Sequence, residues 1–475
     1  MSCYKTVTDN YVLPFDLYPF QQETVNELAW LSRVGLWLDM GTGKTITSIA
    51  MCLHKLAIKD VDRVVVLMPP ILLTGWSKAL SRIPGITHTV YRGTPTQRAK
   101  LNLDVDFVLM SYQIFKKEAY VLDDSKRYAL ICDESTAVKN VASQTYKAVR
   151  AFMSNPNNHL LLLSGSPLST PHDGYSPIKL ISPNIYRNLN QYEQVHVAER
   201  DFFGTVTQWR NLELLHDNLL VNSKRILKED VLKDMPEVTY SPIYYELDSK
   251  HMKTYKTLCE QQLLKFENGE KLDATNASAL FNALQQVPMN REHFTQEDGV
   301  ESAGIDLVHE IMDELGDGKL VIFTNYRMTN RALVDKLAKY GVVAVFGEVS
   351  ASQQQQALDR FINDPSCKVI LLQLRSSAFG LDGLQAVCSD ILFAEMPLVP
   401  AWFHQAVARL HRVGQTKPVT VRVAIAEKTI QERLWLLLQD KDSIVNMCVR
   451  GPLDIRDALM GVAESRTNEM EVTTA

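Results

Sequence analysis

The stretch Leu36-Trp37-Leu38-Asp39-Met40-Gly41-Thr42-Gly43-Lys44-Thr45 joins three signals without a gap. Leu36 to Leu38 is an apolar run of the kind that forms a buried strand. A tight glycine turn follows, and Thr45-Ile46-Thr47-Ser48-Ile49-Ala50-Met51 opens a helical pattern. Strand, Gly-x-Gly-Lys-Thr and helix, in that order, make the phosphate loop of a nucleoside triphosphatase. Backbone N–H groups from Met40, Gly41, Thr42, Gly43, Lys44 and Thr45 can curl around phosphates, and the helix N-terminus adds partial positive charge. Lys44 would reach the β- and γ-phosphates of ATP, and the Thr45 hydroxyl would ligate Mg²⁺. The full pattern has Gly or Ala where this chain has Leu38. The plain alternative is a glycine turn between a strand and a helix.

With 475 residues the chain is long enough for two to four domains. Hydrophobic residues at 46% and charged ones at 22% place it among ordinary soluble globular proteins. No run approaches the ~20 apolar residues of a membrane span. Met1-Ser2-Cys3-Tyr4-Lys5 has no apolar signal core, so the expectation is a cytoplasmic, non-secreted protein without a membrane partner. The cysteines are scattered with no Cys-x-x-Cys pair, which argues against a zinc site or a disulfide scaffold. A net charge of −5 means that any nucleic-acid site is a local basic groove on an acidic protein.

Upstream of the loop, Leu17-Tyr18-Pro19-Phe20-Gln21-Gln22 precedes a helical pattern from Thr24 to Leu31. Gln21 offers a donor and an acceptor to an adenine edge, and an aromatic such as Phe20 can stack on the ring. A solvated Gln and a core Phe would look the same. Downstream, Arg63–Pro70, Asp106–Tyr112, Tyr128–Glu134 and His159–Pro167 read as buried parallel strands. Strands alternating with helical stretches predict a doubly wound α/β sheet with ligands at the carboxyl ends of its strands. The third of these strands ends in Asp133-Glu134, about 90 residues after Lys44. Asp133 would hold Mg²⁺, and Glu134 would take a proton from the attacking water. Helix N-capping is the alternative for this pair.

A second α/β lobe follows, with strands at Lys319–Thr324, Gly341–Gly347, Lys368–Gln373 and Asp390–Ala394 and no phosphate loop of its own. Two lobes and one loop place a nucleotide in the cleft between them. Arg409 and Arg412, three apart, would share a helix face and supply guanidinium groups to a phosphoryl transition state.

Together these elements resemble the Snf-type branch of the superfamily-two helicases. Leu17-x-Pro19-Phe20-Gln21 resembles the adenine-reading element, Asp39–Thr45 motif I, and Pro69–Trp76 with Lys78 motif Ia. Ser111-Tyr112 is similar to motif Ib, Asp133-Glu134 to the start of motif II, and Val138-Lys139-Asn140 with Ser143 to the element after it. Ser164–Leu168 resembles motif III, Phe379–Gln385 motif V, and His411-Arg412-Val413-Gly414-Gln415 motif VI. The short spacing from Gln21 to Lys44 is similar to the compact bacterial or viral relatives. Ser135-Thr136 stands where the family usually has Ala-His or Gly-His; the resemblance assigns that His to coupling between the nucleotide site, motif III and DNA.

The resemblance implies two tandem RecA-like doubly wound lobes with short helical insertions. It puts the ATP-binding lobe at residues 1–180, a helical protrusion and inter-lobe linker at 181–240, the second lobe at 241–460 and a polar tail at 461–475. Helical stretches are expected at Tyr186–Leu227, Ser249–Gln286 and Thr429–Asn446. It implies a monomeric, DNA-dependent ATPase that tracks duplex DNA through its backbone. Contacts carried over by position are Lys78, Ser111, Tyr112, Lys139, Ser143, Lys147, Thr324 and Ser376. Two alternatives stand beside it: a strand-separating helicase of the same superfamily acting on DNA or RNA, and a nucleotide-dependent switch with weak hydrolysis.

Overall fold

Runs such as Val64-Val65-Val66-Leu67 leave neither face of a strand wet, so they need cover on both sides. The computed structural model supplies that cover twice. It describes residues 13–202, 204, 206–267, 281–295, 302–346, 351–374, 383–397 and 399–449. Ser376, Phe379–Asp382 of the motif V stretch and the polar tail lie outside the described residues. The chain divides into two compact units, the first comprising Met1–Lys233 with Lys441–Ala475 and the second covering Asp234–Asp440.

In the first unit the strands are β1 (Arg33–Leu38), β2 (Arg63–Met68), β3 (His88–Tyr91), β4 (Phe107–Ser111), β5 (Tyr128–Asp133) and β6 (His159–Leu163). A hairpin of β7 (Val197–Arg200) and β8 (Val206–Trp209) stands apart, and β9 (Ser223–Ile226) closes the unit. The main sheet has seven strands in the order β3-β4-β2-β5-β6-β1-β9, all pairs parallel. Alternate residues feed two cores. Val65, Leu67, Val108, Met110, Leu130 and Leu162 pack on one face. Val64, Val66, Leu109, Ile131, Leu161 and Leu36 pack on the other, under helices Lys44–Ala57 and Leu73–Ser81.

Residues 186–227 depart from the helical expectation. They hold helices Leu189–His196 and Leu212–Leu220, the hairpin, and β9, which pairs parallel with β1 from Gly35↔Ser223 to Leu38↔Ile226. The cause lies in β1. With β6 on one edge, β1 needs a partner on the other, and Trp37 donates its indole N–H to Leu219 O at 3.1 Å to draw that segment in. Gly35 allows the approach, since a Cβ there would fall 2.4 Å from Ser223 Oγ.

The second unit contains β10 (Val238–Tyr245), β11 (Leu320–Thr324), β12 (Val342–Val345), β13 (Val369–Gln373), β14 (Asp390–Phe393) and β15 (Val419–Ala426). They form a parallel sheet in the order β10-β15-β14-β11-β13-β12. Its faces also split by alternation, Phe323, Leu372, Ile391 and Val421 on one side and Ile322, Leu371, Leu392 and Ala424 on the other. β10 tolerates Pro242 because it is an edge strand.

At the carboxyl end of this sheet Glu395 is fully buried. Its Oε2 accepts from Asn325 N at 2.7 Å and Tyr326 N at 3.0 Å, and Oε1 accepts from the Thr329 hydroxyl. Burial pushes its carboxyl pKa up to about 7, restrained by the Thr329 and backbone hydrogen bonds. An unfolded Glu titrates near about 4.3. Between those values the folded chain keeps a proton that the unfolded chain has lost. The stability tied to Glu395 therefore falls as pH rises through that window. Glu395→Gln keeps an acceptor for both N–H groups and donates to Thr329. It should match the parent near pH 5 and exceed it at pH 8 by on the order of 2–3 kcal/mol in urea unfolding.

Candidate active site

The phosphate loop leaves the carboxyl end of β1. Gly41 and Gly43 take left-handed φ values of 84° and 85°, and Gly43 caps the helix that Lys44 begins. A Cβ at Gly43 would also fall 2.2 Å from Gln21 Nε2. Gln21 is buried, donates from Nε2 to Thr42 O at 2.9 Å and accepts from Tyr18 N at 3.0 Å. Both ends of its amide are engaged by backbone, so here Gln21 braces the loop. The Thr42 hydroxyl donates to Asp39 O at 2.6 Å, closing the turn. Thr45 is half-buried in the first helical turn.

Lys44 Nζ donates to Leu38 O at 3.0 Å and Asp39 O at 3.4 Å. Removal from water lowers its pKa, and the charges of Glu134, Asp133 and Asp39 work against that shift. The ammonium thus lies in the field of the two acids at the end of β5. Asp133 is buried; Oδ2 accepts from Trp76 Nε1 at 2.7 Å and Oδ1 from Glu134 N at 3.0 Å. Burial raises its pKa, and the Trp76 bond and the Lys44 charge hold the rise in check. Glu134 is half-buried with φ 53° and ψ 59°, a left-handed backbone that costs a non-glycine residue energy and recurs at functional sites. Ser135–Val138 then winds into a short 3₁₀ turn. From β6, Gly165 lies against the loop: a Cβ there would come 3.0 Å from Met40 Cγ and 3.4 Å from Lys44 Nζ.

The structure therefore gathers Met40, Gly41, Thr42, Gly43, Lys44, Asp133 and Glu134. Two participants are absent from the sequence reading's site. Trp76 orients Asp133. Arg225, on β9, donates to Trp37 O at 2.8 Å, Gly165 O at 3.0 Å and Asp39 Oδ1 at 2.6 Å, while Lys228 N donates to Asp39 Oδ2 at 3.1 Å. The clue to that pairing is an acid just before the glycine turn with an unassigned Arg far downstream, and β9 is too short to announce itself.

The positions carried over as nucleic-acid contacts divide. Lys78, Lys139 and Lys147 are exposed, with Lys139 Nζ 3.4 Å from Ser169 Oγ and Asp173 Oδ2. Ser111 and Ser143 cap helices, accepting from Ile114 N and Tyr146 N. Tyr112 is buried and donates to Asp133 O at 2.8 Å, and Thr324 is fully buried at the end of β11. Arg409 and Arg412 do not share a helix face: helix Pro400–Val407 ends before them. Gln415 donates to Cys388 O and Leu410 O, and Gly414 takes φ 94°, so the chain turns where a helix would continue. His411 Nε2 bonds Pro236 O at 3.0 Å within the same unit.

Fold and loop together define a class: a phosphate-loop α/β unit followed by a second parallel α/β unit. The SNF2-related domain matches residues 20–294 and the helicase conserved C-terminal domain residues 303–414, and the chain belongs to the SNF2-related family. It is 26% identical over 439 residues to the Mus musculus Chromodomain-helicase-DNA-binding protein 1-like, covering 87% of this chain and 47% of that protein. It is 25% identical over 512 residues to the TATA-binding protein-associated factor mot1 of Aspergillus fumigatus, covering 91% of this chain and 27% of that one. The chain thus spans less than half the length of these relatives. The Sulfolobus solfataricus SWI2/SNF2 ATPase core in complex with dsDNA aligns over 93% of this chain and 96% of its own, at 21% identity and a TM-score of 0.44.

Trp76→Phe keeps the ring and removes the donor to a buried carboxylate. It should cost about 1–3 kcal/mol in urea unfolding, while Trp30→Phe, at an exposed site, changes stability little.

Proposed function

We propose that this chain is a DNA-dependent ATPase that moves along duplex DNA, of the compact SNF2 kind. One observation carries the reading. A left-handed glycine loop delivers Lys44 into the field of Asp133 and Glu134, at the carboxyl ends of parallel strands of one sheet.

In this mechanism the loop N–H groups from Met40 to Thr45 take the phosphates of ATP. Lys44 exchanges the carbonyls of Leu38 and Asp39 for β- and γ-phosphate oxygens. Glu134 takes the proton of the attacking water, its strained backbone fixing where the carboxylate begins. Thr45 and Asp133 offer hard oxygen donors of the type Mg²⁺ prefers, and each Asp133 oxygen, with one hydrogen bond accepted, keeps a lone pair for an ion. Mg²⁺ held there would neutralise charge on the phosphate oxygens. Arg409 and Arg412 keep the role of spreading positive charge over the transferred phosphoryl. Among the nucleic-acid positions, exposed Lys78, Lys139 and Lys147 suit phosphate contacts best, and such contacts carry no base reading. The DNA-binding relative supports a DNA track. Among the described residues no helix is long and apolar enough to cross a membrane.

Lys44→Ala and Arg412→Ala should each bring steady-state ATP turnover to background while duplex binding in a gel-shift assay persists. Normal turnover by either variant removes that residue from its role. Duplex DNA should stimulate turnover of the parent chain more than single strands or RNA do, with no release of single strands from a forked duplex. Binding should weaken steeply with salt. Equal stimulation by all three nucleic acids, or strand release, rejects the duplex-tracking reading.

A further inference from the structure

Arg33 opens β1 at the end of the strand away from the phosphate loop. Beside it lies a cavity of about 270 Å³, lined by Arg33, Tyr146, Arg150 and Lys179 together with Met153 and Pro183. Three lining side chains are basic and none is acidic. Among the described residues none of the three basic groups has a carboxylate partner.

Two of the cations also have structural work. Arg33 donates to Leu180 O at 2.9 Å and Met153 O at 3.0 Å. Lys179 Nζ donates to Pro183 O at 2.7 Å, Tyr186 O at 2.8 Å and Arg187 O at 3.3 Å. Carbonyl dipoles satisfy those donors and leave the net charge in place. Burial lowers the pKa of Arg33. Burial and then the neighbouring Arg150 charge lower that of Lys179.

Arg150 is different. It is exposed on helix Gln144–Phe152, and its guanidinium makes no hydrogen bond to the described residues. Its charge reaches the Tyr146 and Tyr175 phenols, whose pKa values burial otherwise raises. Tyr146 is buried against the cavity, and its hydroxyl also has no partner among the described residues. A fork of guanidinium donors, a second half-buried guanidinium and a phenol hydroxyl around one cavity, with uncompensated positive charge, is the donor chemistry of a tetrahedral oxyanion.

We propose that this cavity is an anion site for a small phosphate-class group, with Arg150, Arg33 and the Tyr146 hydroxyl as its contacts. It is separate from the phosphate loop, which leaves the carboxyl end of β1 while Arg33 stands at the amino end. The group is either a free inorganic anion or the phosphoryl end of a nucleotide, and the same chemistry serves both.

The test uses the full chain carrying Lys44→Ala, which removes the phosphate-loop lysine from the measurement and makes the result independent of the ATPase reading. Titration calorimetry with pyrophosphate, inorganic phosphate and adenosine 5′-monophosphate is compared with chloride at matched ionic strength. Pyrophosphate or phosphate should bind above the chloride control. Adding Arg150→Ala should weaken that binding about tenfold or more, and adding Tyr146→Phe should weaken it less. An unchanged thermal midpoint for the Arg150→Ala chain certifies its fold. Stronger binding of the inorganic anions than of adenosine 5′-monophosphate assigns the site to a free anion, and the reverse assigns it to a nucleotide phosphoryl. Binding no better than chloride, equal binding with and without Arg150, or an Arg150→Ala effect confined to duplex DNA overturns the proposal.

Discussion

Asp133 is buried at the end of a strand with no wet face, and the polar groups around the phosphate loop answer to that carboxylate. Desolvation works against its charge. Trp76, the Glu134 amide and the Lys44 ammonium work for it. Lys44 can serve only if it is itself held, which the carbonyls of Leu38 and Asp39 do. Those carbonyls sit where they do because Gly41 and Gly43 turn left-handed beneath Gln21 and because Arg225 and Lys228 clamp the Asp39 carboxylate. Removing one partner from such a set leaves a buried charge uncompensated, which costs more than the lost bond itself.

That dependence also bears on Ser135-Thr136. The family's usual His is absent, yet motif II is tied to its surroundings by other means. The Tyr112 hydroxyl holds the Asp133 carbonyl, Ser176 Oγ donates to Val138 O at 2.6 Å, and Lys139 reaches Ser169 and Asp173 beyond motif III. The Tyr112 bond ties the acid pair to the end of β4, and the Val138 and Lys139 contacts tie the turn after it to the segment after β6, without an imidazole.

The strands buried on both faces were legible because their sequences are continuous β-branched and leucine runs: Arg63–Met68, Tyr128–Asp133 and Leu320–Thr324 need no tertiary information. β15 is equally legible, in the alternating Val419, Val421, Val423 and Ile425. β3 and β9 were not legible. Each spans four residues at a sheet edge, and Ser223-Lys224-Arg225-Ile226 becomes a strand only because β1 offers an unpaired side. The glycine loop and the acid pair could be read because their chemistry is local. The Trp76–Asp133 and Arg225–Asp39 bonds span 57 and 186 residues and could not. The arginine pair misled because spacing of three implies a shared face only if the helix persists, and Gln415 and Gly414 end that possibility from downstream.

The position of β9 sets a practical limit on dissection. A fragment stopped near residue 180 would keep every signature element of the nucleotide loop and still lose its outermost strand. Trp37 would shed its acceptor at Leu219, Asp39 would face solvent without its guanidinium, and the parallel ladder on that side of β1 would be left as an open edge inviting other chains. A fragment meant to keep the seven-stranded sheet and the Asp39 clamp intact has to run beyond Lys228.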